Sequence, residues 1–171
     1  MKKLQMFGKS AVLLMAFSMA ISCGSDDGGS GTGGGSGSFL QAKVDGDTFK
    51  AEVMGQPTVT AIRQGSGATT LIQISGANAS VNGMNVILFG VTGTGTYNVG
   101  PDSDSVLAYT TSSSASYDTG ECDGATGTVT VTALTDDKVE GTFEFTGKSE
   151  ENACGAKSIT QGKFRGVFIQ N

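Results

Sequence analysis

The side chains that could do chemistry here are mainly carboxylates, because the chain of 171 residues contains no histidine. Acid–base catalysis by imidazole and a Ser-His-Asp triad are therefore excluded. Asp102 and Asp104 flank Ser103, and alternating oxygen ligands could contribute to a Ca²⁺ site, which takes about six to eight oxygens. The glycine and distal glutamate of an EF-hand are missing, and proline, aspartate and serine are commonest in solvated turns. We expect no catalytic residue, no cofactor and no metal site. Asp102 and Asp104 are the residues that would be candidates if a metal were bound.

Three tyrosines, Tyr97, Tyr109 and Tyr117, are the other side chains that could contact a ligand. An exposed tyrosine offers an apolar ring face and a polar hydroxyl, so the three could line a platform for a small ligand or a glycan. Packing in the core or at its rim is the alternative. A carboxylate-based hydrolase also stays open, and it would need two facing carboxylates roughly 5–10 Å apart in a cleft.

The N-terminus has the order of a signal peptide. Three lysines among the first nine residues precede an apolar run at 11–21, which is too short to span a bilayer because spanning needs about 20 residues. The four residues at 20–23, Ala-Ile-Ser-Cys, then resemble a bacterial lipobox, in which diacylglycerol is attached to the cysteine sulfur and the peptide is cut before it. The resemblance implies a lipoprotein signal peptide at 1–22 and a lipidated, palmitate-type anchor at Cys23. An ordinary secretory signal with a chance cysteine is the alternative.

Composition separates a linker from a domain. Residues 28–37 contain only Gly, Ser and Thr, which bury nothing and form a flexible coil. We therefore divide the mature chain into the lipidated cysteine with a flexible linker at 23–38 and a β-rich domain at 39–171. Removing residues 1–22 takes away three of the 11 basic residues and none of the 16 acidic ones, which leaves a net charge of −8. That charge disfavours nucleic acid, so the expected partners are the membrane, through the lipid, and an unknown protein or glycan.

From residue 39 onward the pattern is that of strands and turns. Short runs of Val, Ile, Thr, Phe and Tyr alternate with Gly, Asn, Asp and Ser, and no window has a helical period. We predict an all-β domain, a single antiparallel β-sandwich or flattened β-barrel of about ten strands. Asp-Gly at 45–46 predicts a hairpin turn. Residues 84–91, apolar on both faces, predict a strand that lies centrally or under a lid. Gly162 or Gly166 is expected to mark a bulge or a close backbone approach.

The clearest hairpin joins residues 126–134 to residues 138–147. The alternating apolar residues of both segments are odd-numbered, and directly paired residues share a face, so the paired numbers must have an even sum. A three-residue loop at 135–137, with Ala133 opposite Val139, satisfies this condition, whereas a two-residue loop does not. The same register places position 122 opposite position 150.

This register brings Cys122 close to Cys154, and an exported chain meets disulfide-permissive conditions. We predict a disulfide, which would close a loop of about 33 residues and stabilise the fold by roughly 3–4 kcal/mol in the chain-entropy model. Two separate thiols, buried or reactive, are the alternative. Zinc binding by these two cysteines is not expected, because a closed zinc site needs about four nitrogen or sulfur ligands.

Several short motifs occur in a characteristic order after the lipobox: Ser25-Asp-Asp27, Ala42-Lys-Val-Asp-Gly46, Gly95-Thr-Tyr97, Gly127-Thr-Val-Thr-Val131, Gly141-Thr-Phe-Glu-Phe145 and Ile159-Thr-Gln-Gly-Lys-Phe164. Together they resemble a family of small Bacteroidota lipoproteins of unknown function, over most of the chain from Cys23. The resemblance implies an extracytoplasmic β domain and supplies no activity or site residue. The acidic pair behind Cys23 resembles a surface-export signal. The triplet at 104–106 resembles an O-glycosylation acceptor of such bacteria, which makes Ser105 a candidate.

We therefore expect a lipid-anchored lipoprotein of the cell envelope. It would lie in the outer membrane, on the periplasmic face or at the cell surface, with a non-enzymatic binding or structural β domain. A barrel-type carrier of a small apolar ligand, which would need an internal apolar cavity, is the first alternative. The carboxylate-based hydrolase is the less expected one.

Overall fold

A computed structural model of the chain describes residues 37–169, which fold almost entirely into antiparallel strands. The strands are β1 Phe39–Val44, β2 Asp47–Lys50, β3 Glu52–Val53, β4 Gln56–Pro57, β5 Thr60–Gln64, β6 Leu71–Ala77, β7 Gly83–Phe89, β8 Gly95–Val99, β9 Val106–Thr110, β10 Ser116–Asp118, β11 Thr126–Leu134, β12 Lys138–Ser149 and β13 Gly155–Val167. Within this range the helical elements are two short 3₁₀ turns, Gly67–Thr69 and Glu150–Asn152. No helix among the described residues has the length and apolar character needed to cross a membrane.

Eleven of these strands form one sheet that turns back on itself at β12. One edge of β12 pairs with β11 over most of its length and with β10 at Lys148, near its end. The sheet thus has two halves. One runs β8-β11-β12-β13-β1-β2 and the other runs β10-β9-β7-β6-β5. At a second junction, Ala61 on β5 forms a parallel bridge with Phe168, just beyond β13.

The two halves pack face to face. The rings of Phe49 on β2 and Tyr109 on β9 meet edge to face, with centroids 6.2 Å apart. A methyl group added to Gly127 on β11 would lie 2.8 Å from a side-chain carbon of Leu107 on β9, so the Leu107 side chain packs directly on the β11 backbone there. The predicted all-β architecture, a sandwich or flattened barrel, is confirmed. Side chains without exposed surface fill the interior, among them Ile72, Ile74, Met84, Val86, Leu88, Leu107, Val129, Val139 and Ile159.

Two local predictions from the sequence are confirmed. Asp45 and Gly46 both have positive φ, 50° and 96°, which is the backbone of the type I′ turn that matches the twist of a two-stranded hairpin. They join β1 to β2. The apolar segment at 84–91 supplies β7, which lies between β6 and β9.

The β11–β12 register differs from the prediction near its loop. The even-sum pairs are present from Thr126 opposite Thr146 to Val131 opposite Gly141. A bulge then follows, and Ala133 lies opposite Glu140, so its predicted pairing with Val139 is wrong. The extra residue, Thr132, gives the following pairs an odd sum, so the loop is the two-residue turn at 136–137. The predicted three-residue loop at 135–137 is wrong. The two-residue turn is closed by the Thr135 N–H, which donates to the Lys138 carbonyl at 2.9 Å.

Gly162 combines the two features that were predicted as alternatives. The β12–β13 register shifts there, with Phe143 opposite Gly162 and Phe145 opposite Ile159. The residue before it, Gln161, has a positive φ of 53°. A side chain at Gly162 would also collide with the backbone oxygen of Phe143. The bulge and the close approach therefore occur at one position, which only glycine fits.

Candidate functional site

A polar cleft of about 220 Å³ opens where the β1–β2 hairpin meets the other half of the sheet. We call it the hairpin cleft. Four parts of the chain contribute to it: the hairpin, the loop between β6 and β7, β9 and β13. Its lining consists of Val44, Asp45, Asp47, Thr48, Phe49, Asn78, Asn82, Tyr109 and Lys157.

Asp45 is fixed to β13 by three hydrogen bonds. Its carboxylate accepts one from the Lys157 ammonium at 2.8 Å and another from the Ser158 N–H at 2.9 Å. Its own backbone N–H donates to the Ser158 carbonyl at 2.8 Å. The Lys157 ammonium and the Ser158 N–H hold the pKa of the Asp45 carboxyl below its usual value. The bond to Asp45 in turn raises the pKa of Lys157, so both groups carry charge at neutral pH.

Two of the three predicted tyrosines meet beside this ion pair. Tyr109 on β9 lies directly opposite Tyr117 on β10, so both side chains share one face of the sheet. Each is only 7% exposed, so their rings belong to the core and form no open stacking platform. Burial raises the pKa of the Tyr109 hydroxyl, which also senses the charges of Lys157 and Asp45. Tyr109 lines the hairpin cleft together with Asp45 and Lys157.

Tyr117 is held from two sides. The Lys157 ammonium lies 5.4 Å from the centre of its ring, a cation–π distance. Its hydroxyl accepts a hydrogen bond from the side-chain amide of Asn152 at 2.9 Å.

Tyr97, in contrast, is on β8, and its hydroxyl donates to the Gly93 carbonyl at 2.9 Å. The structure therefore joins two of the tyrosines and leaves Tyr97 outside the cleft.

Two asparagines of the β6–β7 loop form another wall of the cleft. The Asn78 side-chain oxygen accepts from the Ser80 and Asn82 N–H groups, both at 3.0 Å. The Asn82 side-chain oxygen accepts from the Ser112 N–H at 2.9 Å. Because these oxygens hold the loop, the NH₂ groups are the donors that the two amides have left for a ligand.

The Cys122–Cys154 disulfide lies close to one side of this arrangement. The two Cα atoms are 6.0 Å apart, within the range that a disulfide spans. The bridge ties the loop before β11 to the β12–β13 turn, which also carries Asn152. The disulfide and the Asn152–Tyr117 hydrogen bond therefore fix the same turn.

A group of carboxylates surrounds this bridge. Burial raises the pKa of Glu121, and the negative charges of Asp118, Glu150 and Glu151 raise it further. The described residues contain no group of three or more histidines, cysteines or carboxylates that could hold a metal ion.

The remaining candidates lie elsewhere. Asp102 and Asp104 are exposed in the turn between β8 and β9. Ser105 is buried, and its hydroxyl accepts a hydrogen bond from the Phe89 N–H at 2.9 Å, so this hydroxyl is not accessible for glycosylation in the folded domain. Cys23, the signal peptide and nearly all of the linker lie outside the described residues.

The partnership of Asp45 and Lys157 is not evident from the sequence. The sequence marks Asp45 only as a turn residue, and nothing in the residues around Lys157 indicates that it is the partner. The threonine-rich outer face of β11–β13 is likewise not evident as a site from the sequence. It carries two shallow depressions, of about 460 and 290 Å³, lined by residues that include Thr128, Thr142 and Glu144.

Comparison with known proteins identifies a family whose activity is not known. No curated protein and no solved structure matches the chain. Residues 37–168 match the family model described as a domain of unknown function, DUF6252. The resemblance to a family of unknown function is therefore confirmed at that level. The match covers most of the chain, which therefore belongs to the DUF6252 family.

Proposed function

We propose that this protein is a lipoprotein of the bacterial cell envelope, anchored in the outer membrane through Cys23, and that its β domain binds a ligand in the hairpin cleft without transforming it. The observation that carries the binding role is the cleft itself. Charged and uncharged polar groups from four separate parts of the chain converge there around a fixed ion pair. The source group is proposed to be Bacteroidota, on the order of the sequence motifs.

Export and anchoring are supported by the order of segments in the sequence. The family match begins at residue 37, close to the point where the Gly/Ser-rich linker gives way to the β domain. The region before it holds the positively charged start, the short apolar run and the lipobox-like residues ending at Cys23. That arrangement suits a domain carried at the end of a flexible, lipid-held linker.

The titration behaviour of the cleft supports binding over catalysis. A general acid or base works best with a pKa near the operating pH. In the cleft, the Asp45 pKa is lowered and the Lys157 and Tyr109 pKa values are raised. Each shift moves the group away from neutral pH, so these side chains keep fixed protonation states that suit recognition.

The alternatives are less well supported. A carrier of an apolar ligand requires an internal apolar cavity, and core residues of both halves, such as Ile72 and Val129, fill the interior without exposed surface. A carboxylate hydrolase requires an acid that can donate a proton at neutral pH. Asp45 is held ionised by Lys157, which does not suit that role.

Site-specific photocrosslinking in living cells tests the binding role. A photoreactive amino acid replaces Thr48, an exposed residue of the cleft, and in a matched strain it replaces Thr132, an exposed residue of β11. We expect a discrete adduct from position 48 and none from position 132. Equal adducts from both positions, or none from position 48, would show that the cleft has no resident ligand.

A further inference from the structure

The charges in the hairpin cleft restrict the class of ligand. Its charged groups are Asp45, Asp47 and Lys157. Asp45 and Lys157 form an ion pair at 2.8 Å and neutralise each other, so Asp47 leaves the cleft with one net negative charge. The mature chain as a whole, with the cleft included, has a net charge of −8. The charge of the mature chain as a whole therefore disfavours an anionic ligand.

The single unpaired charge is poorly placed to select a cation. Asp47 is exposed, and exposed charges in water contribute little to affinity because solvent and salt screen them. The other polar groups of the lining are uncharged: the Thr48 hydroxyl, the Asn78 and Asn82 amides and the Tyr109 hydroxyl. Such a site selects its ligand through several simultaneous hydrogen bonds between uncharged groups.

The cleft is small and has two kinds of surface. At about 220 Å³ it is below the range of roughly 300–1,000 Å³ that is typical of drug-sized ligands. Val44, Phe49 and Tyr109 supply apolar surface, and the amides and hydroxyls supply the polar part of the lining. A ligand that matches both surfaces has an apolar face of C–H groups and a rim of hydroxyls.

The polar groups are also fixed before any ligand arrives. Asp45 is held by three hydrogen bonds to β13, and the asparagine loop is closed by its own side-chain oxygens. Groups already ordered in the free protein lose less conformational freedom on binding, so even a small ligand can bind measurably.

We propose that the hairpin cleft binds a neutral, polyhydroxylated ligand the size of one pyranose ring, such as the terminal sugar of a glycan. This inference rests on the proposed binding function and names its ligand class. Tyr109 and Thr48 donate to or accept from the sugar hydroxyls, and the Asn78 and Asn82 NH₂ groups donate to them. The Asp45–Lys157 pair keeps the wall in place, and the net negative charge of the chain disfavours ligands that bring their own negative charge.

The test uses the lipidated protein in a polyoxyethylene detergent, because sugar-based detergents would compete. The probes are three forms of one ring: methyl glucoside, which is neutral; glucosamine, which is cationic in mildly acidic buffer; and glucuronate, which is anionic. Methyl galactoside, methyl mannoside and N-acetylglucosamine extend the neutral set. Proton–nitrogen NMR spectra follow the backbone amides of Gly46 and Thr48 and the side-chain amide of Asn82 during each titration.

We expect saturable shifts of these signals with at least one neutral ring, and weaker or no shifts with glucuronate. Tyr109→Phe removes one hydroxyl and should weaken binding by about threefold or more, the range of one hydrogen bond. Thr48→Val should act in the same direction. Tyr97→Phe is the matched control, because that hydroxyl bonds to Gly93 outside the cleft, and it should leave binding unchanged.

Shifts with a charged ring and none with any neutral ring would overturn the ligand class while the binding function stands. Neutral-ring binding that survives both Tyr109→Phe and Thr48→Val would place the sugar elsewhere and also overturn the inference. If no probe moves the cleft signals, the inference is wrong, and crosslinking from position 48 separately decides whether the cleft holds some other ligand.

Discussion

Asp45 and Lys157 are 112 residues apart in the chain, and their side chains form an ion pair at 2.8 Å. The pair connects the type I′ turn of the first hairpin to the last strand of the sheet. It lies in one wall of the hairpin cleft and beside the ring of Tyr117. This one contact therefore holds the first hairpin against the last strand and also shapes one wall of the candidate site.

Replacing Asp45 with asparagine should destabilise the domain slightly and in a pH-dependent way. Asparagine tolerates the positive φ of this turn, so the substitution mainly removes the charge. Because the pair is partly exposed, we expect a loss of about 1 kcal/mol or less at neutral pH. Denaturant unfolding at several pH values measures it, with Asp102→Asn, in an exposed turn, as the control.

The sign of the pH dependence follows from the two pKa shifts. The Asp45 pKa is lowered in the folded state, so its contribution is present above about pH 4 and disappears as pH falls through the folded value. The Lys157 pKa is raised, so its contribution is present below about pH 10.5 and disappears as pH rises through the folded value. The difference between wild type and Asp45→Asn should therefore be largest between these limits. A difference that persists in strong acid would contradict the ion-pair explanation.

The Cys122–Cys154 bridge should be present in the exported protein. Thiol counting under denaturing, non-reducing conditions is expected to find no free thiol in the lipidated chain. The double replacement Cys122→Ala with Cys154→Ala should cost roughly 3–4 kcal/mol on the chain-entropy argument without abolishing the fold, because the hairpin that it closes is local. Two reactive thiols in correctly folded, exported protein would refute the pairing.

Gly141 should tolerate no side chain. A methyl group there would overlap the Thr130 carbonyl oxygen and lie 2.6 Å from the ring of Phe164. Since one of the colliding atoms is backbone, Gly141→Ala is expected to cost about 1–3 kcal/mol or more in unfolding free energy. Gly93→Ala is the matched control, because no heavy atom lies within 4 Å of the added carbon. Similar unfolding midpoints for the two variants would mean that the β11–β12–β13 packing is looser than described.

Cys23→Ala should abolish fatty-acid labelling of the protein and its partitioning into detergent. The expectation rests on the lipobox-like residues and on the need for acyl chains to hold a protein at a membrane. The same preparation can be treated with protease, which should remove the Gly/Ser-rich linker and stop near Phe39. Labelling that is unchanged in the variant would exclude this anchor.

The sequence predicted those features of the fold that depend on neighbouring residues. The Asp45-Gly46 turn, the central strand β7 and the crowded glycine at 162 each follow from local chemistry. The Cys122–Cys154 proximity could be reasoned because both residues lie near the open end of one hairpin. The β11–β12 loop shows the limit. A bulge at Thr132 changed the parity of the pairing before the loop, and a bulge leaves no mark in a run of alternating valine and threonine.

The candidate site was less predictable because it is assembled from distant segments. Tyr109 and Tyr117 could be named as ligand residues, but whether their rings were open or buried depended on the other half of the sheet. The partners Asp45 and Lys157 meet only once β1 has paired with β13, which is a contact between the two ends of the domain. No spacing within the sequence indicates such a pair.

β1 separates the hairpin cleft from the point at which the linker enters the domain. The linker enters the described domain just before Phe39, and the six residues of β1 then run to Val44, at the edge of the cleft. At about 3.3 Å per residue this strand separates the entry point from the cleft by roughly 20 Å. The linker thus joins the domain at one end of β1, and the mouth of the hairpin cleft lies at the other end, so the attachment point leaves the mouth uncovered.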